Sequence, residues 1–223
     1  VYTRFQDGAG NWSKAVSDSI VFARSSADVP RIREVWIAQH RPVDYDSGAA
    51  AGAKRNPYLI PVTTNEVAFD TLMNSLMTNY SAYQPQARWT TNATKTATND
   101  TTLTIYIGAG VYETHGDCTA HGQALSWAPG NGWRIFGAGK DVTTLKAVDL
   151  RGGWAYRVNV IGGNGANGNL EIADLTLDAN IHEGGTNMNG QYAQGIYFKG
   201  SNVQIRRVKV KNCGSHMTGA EPA

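Results

Sequence analysis

The chain has 223 residues, with 20 Lys and Arg against 18 Asp and Glu for a formal net charge of +2; 41% of residues are hydrophobic and 17% charged. No run approaches the roughly 18 consecutive apolar residues of a membrane-spanning helix, and charge is too sparse and apolar content too high for a disordered chain. Nor does any Lys/Arg block form the stripe that tracks nucleic-acid phosphates, which argues against a nucleic-acid partner.

The 25 glycines, with abundant Asn and Thr, favour turns and strands, so the predicted fold class is all-β. At the start, Val1-Tyr2-Thr3-Arg4-Phe5 alternates like a strand and lacks the charged start and apolar stretch of a secretory leader. With the turn Asp7-Gly8-Ala9-Gly10-Asn11 and the strand-like Ile20-Val21-Phe22, it predicts a hairpin over residues 1–24. Pro30, Pro42, Pro57 and Pro61 and the small-residue run 48–53 mark residues 25–62 as a linker, interrupted by one short strand at Val35-Trp36-Ile37-Ala38. A helix is predicted next, over about residues 64–78. Thr63 and Glu66 have capping-box spacing, and Phe69, Leu72, Met73, Leu76 and Met77 form one apolar stripe that must cover something.

Beyond a polar stretch at 90–102 come four strand-like blocks, LTIYIGAGVYET, WRIFGAGKDVTTLKAV, LEIADLTLDAN and VQIRRVKVKNC. Ile135, Ile172 and Ile205 align across them at a spacing of roughly 35 residues, in the range of solenoid repeats. Aliphatics alternate with a slip in mid-block, as in Leu170 and Ile172 then Leu175 and Leu177, and in Val203 and Ile205 then Val208 and Val210. The slip reads as a corner, and stacked blocks would place the three isoleucines inside. Equivalence of Leu145, Leu177 and Val210 would set Lys146, Asp178 and Lys211 in an outward row of alternating sign. Gly214-Ser215-His216-Met217 reads as a polar turn. Cys118 and Cys213 lack zinc-site spacing and read as buried thiols, with a disulfide between them left open.

Two resemblances arise from these residues. VYTRFQDGAGNWSKAVSDSIVF resembles the closing strands of the immunoglobulin-like or fibronectin-type repeats of bacterial secreted and surface proteins. The order amphipathic helix, LTIYIGAGVYE, WRIFGAGKDVTTLK, LEIADLTLDAN and QGIYFKGSNVQIRRVKVKN resembles the N-terminal part of a right-handed parallel β-helix of the pectate-lyase-like superfamily, over about residues 62–213. Ala109 stands where that pattern usually has proline, and Ala179 where it has glycine. The resemblance implies an N-terminal capping helix followed by a few β-helical coils over residues 63–223, truncated at the C-terminus, within a large extracellular or cell-surface protein.

Candidate chemistry lies on the outer faces. Asp174, Asp178, Asn180, His182 and Glu183 gather hard oxygen ligands within ten residues that could hold Ca²⁺, with Asp174 and Asp178 as its candidate ligands. In a lyase of this superfamily such a cation would acidify a uronate α-proton. The competing reading makes Asp174 and Asn180 turn residues and leaves Asp178 in solvent. Asp178 with Arg206, Arg207 and Lys209 forms the candidate substrate-binding set for an acidic polysaccharide, although basic residues on a strand also deter edge pairing. His115, Asp117 and His121 surround Cys118 without a visible third partner and read as loop residues. Trp127, Trp133 and Trp154 offer either sugar stacking or packing beneath loops, and packing is the commoner fate. No catalytic constellation is complete. The expected function is therefore a structural, surface or filament module that contacts carbohydrate through its parent protein, with self-association through open strand edges as a further partner mode. The alternative is a polysaccharide lyase or glycoside hydrolase.

Overall fold

The computed structural model describes residues 33–63, 65–80, 103–118, 127–148, 157–166, 169–181, 191–199 and 202–216. Contacts divide the chain into two compact units, Val1–Pro30 and Arg31–Ala223, and all described residues belong to the second. The expected hairpin at 1–24 and the polar stretch at 90–102 lie outside the described residues.

The chain deals its strands in threes. β1 (Arg33–Ala38), β2 (Tyr58–Leu59) and the helix α1 (Asn65–Tyr80) come first. The first triplet is β3 (Leu103–Ile107), β4 (Gly110–Thr114) and β5 (Asp117–Cys118), and the second is β6 (Arg134–Gly137), β7 (Thr143–Ala147) and β8 (Arg157–Ala166). The third comprises β9 (Glu171–Ala173), β10 (Thr176–Asp178) and β11 (Gln191–Lys199), and the fourth β12 (Gln204–Arg206), β13 (Lys209–Lys211) and β14 (Gly214–His216). Each triplet gives one strand to each of three sheets, ordered β12-β9-β6-β3-β1-β2, β13-β10-β7-β4 and β14-β11-β8-β5. Pairing is parallel throughout the first two sheets. In the third, β8 and β11 are parallel while β5 and β14 close the margins antiparallel. The protein is thus mostly β, with parallel sheets and one helix among the described residues. Gly214–His216, read as a turn, is instead an edge strand, and Arg33–Ala38 of the presumed linker is a full member of the first sheet.

Because parallel strands buried on one face need aliphatics in register, the alternation in each block fixes the pairing. In the first sheet Val35, Ile105, Ile135, Ile172 and Ile205 are successive partners. In the second, Tyr112, Leu145, Leu177 and Val210 are partners. Exposure is 2% or less along the first column until Ile205, at 49%, and zero along the second until Val210, at 48%. Ile205 was expected inside; it keeps its register, but no described strand lies beyond β12 to cover it.

Corners between strands recur at equivalent positions. Asn169 and Asn202, Asp174 and Arg207, and Asn180 and Asn212 all have positive φ between 50° and 61°. Asparagine and aspartate tolerate this conformation because their short polar side chains bond locally, whereas an arginine there carries a cost of about 1–2 kcal/mol. The mid-block slip read from the sequence is this corner at Asp174. One rung is tied to the next at these sites. The Asn202 amide donates to Asn169 Oδ1 at 3.2 Å, Asn212 Nδ2 to Asp178 Oδ1 at 2.8 Å, and Asn180 Nδ2 to the Ala147 carbonyl at 2.8 Å.

α1 packs on β4. Phe69, Met73, Leu76 and Met77 are buried, with Leu72 partly so at the margin. Phe69 meets the Tyr112 ring at 5.6 Å and Trp127 edge-on at 6.1 Å. The amphipathic stripe therefore closes the apolar interior beside the first triplet, as its periodicity predicted.

This arrangement predicts a contrast between two chemically identical substitutions. Ile172→Ala, inside the column, should cost about 2–5 kcal/mol of unfolding free energy, whereas Ile205→Ala should cost about 1 kcal/mol or less. Urea denaturation of the two variants measures both, and equal losses would contradict the stacking order.

Candidate functional site

The first two sheets and their corners carry the candidate residues Asp174, Asp178, Arg206, Arg207 and Lys209. Alternation puts Glu113, Lys146, Asp178 and Lys211 in register on the side opposite the apolar column, so the predicted row of alternating sign extends over four strands. On the first sheet Arg134 and Glu171 are register partners. Glu171 takes the guanidinium of Arg134 at 3.7 Å on one side and pairs with Arg206 on the other. At the corner, Arg207 grips Asp174 with both arms of its fork, Nε to Oδ1 at 2.5 Å and Nη2 to Oδ2 at 2.7 Å. This bidentate contact is the geometrically specific form of the carboxylate–guanidinium pair. Lys209 Nζ lies 4.0 Å from Asp141 Oδ1, the carboxylate that Lys140 also pairs at 2.6 Å.

Asp178 is covered, its side chain only 7% exposed, instead of standing in solvent. Burial pushes its carboxyl pKa up, but the Lys211 ammonium at 3.0 Å, the Asn212 amide and the Asn180 N–H outweigh that and hold it below the usual carboxylate range. The Arg207 fork likewise holds Asp174 low, and Lys140 does the same for Asp141. Since these folded-state values are depressed, the pairs stabilise the fold above the unfolded carboxylate pKa and lose that contribution as pH falls through the folded one. Asp174 and Asp141 are exposed enough for solvent to screen most of the effect.

The same contacts bear on Ca²⁺. Both oxygens of Asp174 accept from Arg207, and those of Asp178 accept from Lys211, Asn212 and Asn180. Among the described residues no group of three His, Cys, Asp or Glu is arranged to hold a metal ion. For a hard cation to bind at Asp174 or Asp178 it would have to compete with the Arg207 and Lys211 cations that these carboxylates already pair. His182 and Glu183, the remainder of that cluster, lie outside the described residues.

One polar cluster was only half visible in the sequence. His115 lies in the two-residue connection between β4 and β5, as the loop reading expected, yet it does not face solvent. It is buried at 4% exposure, and its Nδ1 lies 2.7 Å from Oδ2 of Asp70, a fully buried carboxylate on α1. Asp70 Oδ2 also accepts the His115 backbone N–H at 2.8 Å, while Oδ1 accepts the Thr114 hydroxyl at 2.5 Å and Trp127 Nε1 at 3.2 Å. The Trp127 indole also donates to Thr114 Oγ1 at 2.9 Å. With hydrogen-bond partners on both oxygens, the buried Asp70 carboxyl group is satisfied and clamps α1 to the end of β4. The signal for it was Asp70 itself, an acidic residue between Phe69 and Met73 on the apolar side of the helix. Trp127 and Trp133 are fully buried, so both pack instead of presenting a face to sugars. Trp154 and His121 lie outside the described residues, and Asp117 takes the Asn159 amide at 3.2 Å.

A third feature was not singled out in the sequence. Trp36, Tyr106 and Phe136 are register partners on the outer face of the first sheet. Trp36 and Tyr106 stack at 4.2 Å and 19°, Tyr106 and Phe136 lie 5.7 Å apart, and Lys54 sits 5.5 Å from the Trp36 ring centre. The ring faces of Trp36 and Tyr106 are thus turned to each other, to Phe136 and to Lys54, which serves rung cohesion instead of a sugar platform. Cys213 is a free and exposed thiol, not a buried one, and follows the last described strand of the second sheet. The Cys118 side chain lies outside the described set.

No known protein family, curated protein or solved structure matches the chain.

The buried carboxyl group yields a prediction. Asp70→Ala strands the donors of Thr114 and His115, leaves Trp127 Nε1 only its bond to Thr114 Oγ1, and should cost about 3 kcal/mol or more in chemical unfolding. A loss under about 1 kcal/mol would show that the clamp is dispensable.

Proposed function

We propose that the chain is a scaffold module: the first coils of a right-handed parallel β-helix of the pectate-lyase-like kind, within a large secreted or cell-surface bacterial protein. Rotation of successive strands through three sheets supports the β-helix, and the strong handedness preference of parallel crossovers supports its right-handed sense. The observation that carries the scaffold reading is the fate of the outer charges. Arg206, Arg207 and Lys209 pair with Glu171, Asp174 and Asp141 of preceding rungs, and Lys211 with Asp178. These groups hold coil to coil. A lyase instead requires a cation and a base converging within hydrogen-bond reach of one substrate carbon. Carbohydrate contact belongs in this reading to the parent protein as a whole, and so does its surface location.

The test is an assay of the purified chain against polygalacturonate and alginate, with and without added Ca²⁺. No unsaturated product absorbing in the near ultraviolet is expected in either condition. Turnover abolished by Arg206→Ala or Asp178→Ala would replace the scaffold with the alternative, a polysaccharide lyase acting on an acidic polymer.

A further inference from the structure

Asparagines in this structure meet two different chemical situations. Asn180, Asn202 and Asn212 donate their side-chain amides to the Ala147 carbonyl, Asn169 Oδ1 and Asp178 Oδ1 of the neighbouring rung. They are followed by Ile181, Val203 and Cys213, whose side chains crowd the main-chain nitrogen next in line. Asn131 is exposed and is followed by Gly132, which has φ 70°. The Trp133 N–H donates to the Gly130 carbonyl at 3.3 Å, so residues 130–133 close a β-turn. Asn131 is outside the left-handed region and Gly132 is within it, the φ pattern of a type II turn, whose third position favours glycine. The closing bond is long, and no side chain on Gly132 hinders rotation of this surface peptide unit.

We infer that Asn131–Gly132 is a self-modification site, at which the chain converts its own asparagine to isoaspartate and aspartate with water as the only co-reactant. The Gly132 main-chain nitrogen attacks Asn131 Cγ, the Cγ–Nδ2 bond breaks, and the proton lost by Gly132 leaves with the amide as ammonia. The resulting succinimide is opened by one water molecule. Addition at Cγ gives aspartate, and addition at the main-chain carbonyl carbon gives isoaspartate, in which the chain runs on through Cγ. Both products place a new carboxylate in the turn that leads into β6, three residues before Arg134. Isoaspartate also lengthens the main chain by one methylene between two anchored points. Trp127 and Trp133 on either side of the turn are fully buried, and the Trp133 carbonyl accepts the Glu171 N–H of the next rung at 3.0 Å. The added methylene therefore displaces Trp133 or breaks that bond, and loosens the stack where β6 meets β9.

The test is to hold the full chain at mildly alkaline pH and map its peptides by mass spectrometry, with an isoaspartate methyltransferase to distinguish the two products. Asn131 should convert with first-order kinetics that accelerate as pH rises, while Asn180, Asn202 and Asn212 keep their amides. Asn131→Gln should abolish conversion at that position, because the ring it would close is one atom larger and forms far more slowly. A synthetic peptide of residues 127–137, WAPGNGWRIFG, sets the unstructured rate, and the folded chain should react within about a hundredfold of it. The isoaspartate form, separated by chromatography, should unfold at lower urea than the Asn131→Asp variant, which has the charge without the added methylene. Conversion slower than that hundredfold limit, equal conversion at Asn180, Asn202 and Asn212, or an isoaspartate form as stable as Asn131→Asp would each overturn the inference.

Discussion

Parallel strands have no hairpin to hold them together, so each rung of this protein exists only because its neighbour buries the aliphatic it presents. The column of Val35, Ile105, Ile135, Ile172 and Ile205 and its counterpart through Tyr112, Leu145, Leu177 and Val210 are where that requirement is met. Burial of one aliphatic side chain contributes about 1.5–3 kcal/mol, more than the exposed ion pairs outside can add, at about 0–1 kcal/mol each. The apolar columns therefore provide stability, and the outer charges and asparagine bonds provide register. A slip of one residue would turn every Ile and Leu of a strand outward and carry the charges of its row toward the interior.

The ends of such a stack pose the problem that its middle solves. Beside the first triplet, α1 covers the interior with Phe69, Met73, Leu76 and Met77, and the Asp70 carboxylate fixes the helix to Thr114, His115 and Trp127. Apolar contact lets a helix slide or rotate at modest cost, whereas a buried carboxyl group with hydrogen-bond partners on both oxygens permits one placement. At the opposite end the described residues offer no such cover for Ile205 and Val210. Among the described residues, the apolar cover lies beside the first triplet, and the fourth triplet carries the basic residues Arg206, Arg207, Lys209 and Lys211.

Periodicity made the repeating parts legible. The helix announced itself by a 3.6-residue stripe, and the corner at Asp174 by a break in a two-residue alternation between Ile172 and Leu175. The register of Lys146, Asp178 and Lys211 followed from equating Leu145, Leu177 and Val210. What the sequence concealed depends on contacts between distant segments. His115 meets a carboxylate 45 residues earlier, and no local pattern pairs them. The strands Arg157–Ala166 and Gln191–Lys199 are rich in glycine or polar residues, which diluted the alternation that marked the other two sheets. Glycine is required where chain segments crowd: a Cβ on Gly116, at φ 58°, would lie 2.2 Å from the Asn159 carbonyl oxygen. The shielding of Asp178 was equally hidden, because it arises from Lys211 and Asn212 on the next rung and not from neighbours in sequence.

If each rung is held by the one beside it, protection of backbone amides must depend on having a covering rung on both sides. Native-state hydrogen exchange read by mass spectrometry or NMR measures this residue by residue. The account predicts the slowest exchange at Ile105, Ile135, Ile172, Leu145 and Leu177, and exchange at least about tenfold faster at Ile205 and Val210. Uniform protection from Ile105 to Ile205, or faster exchange at Ile135 than at Ile205, would contradict it.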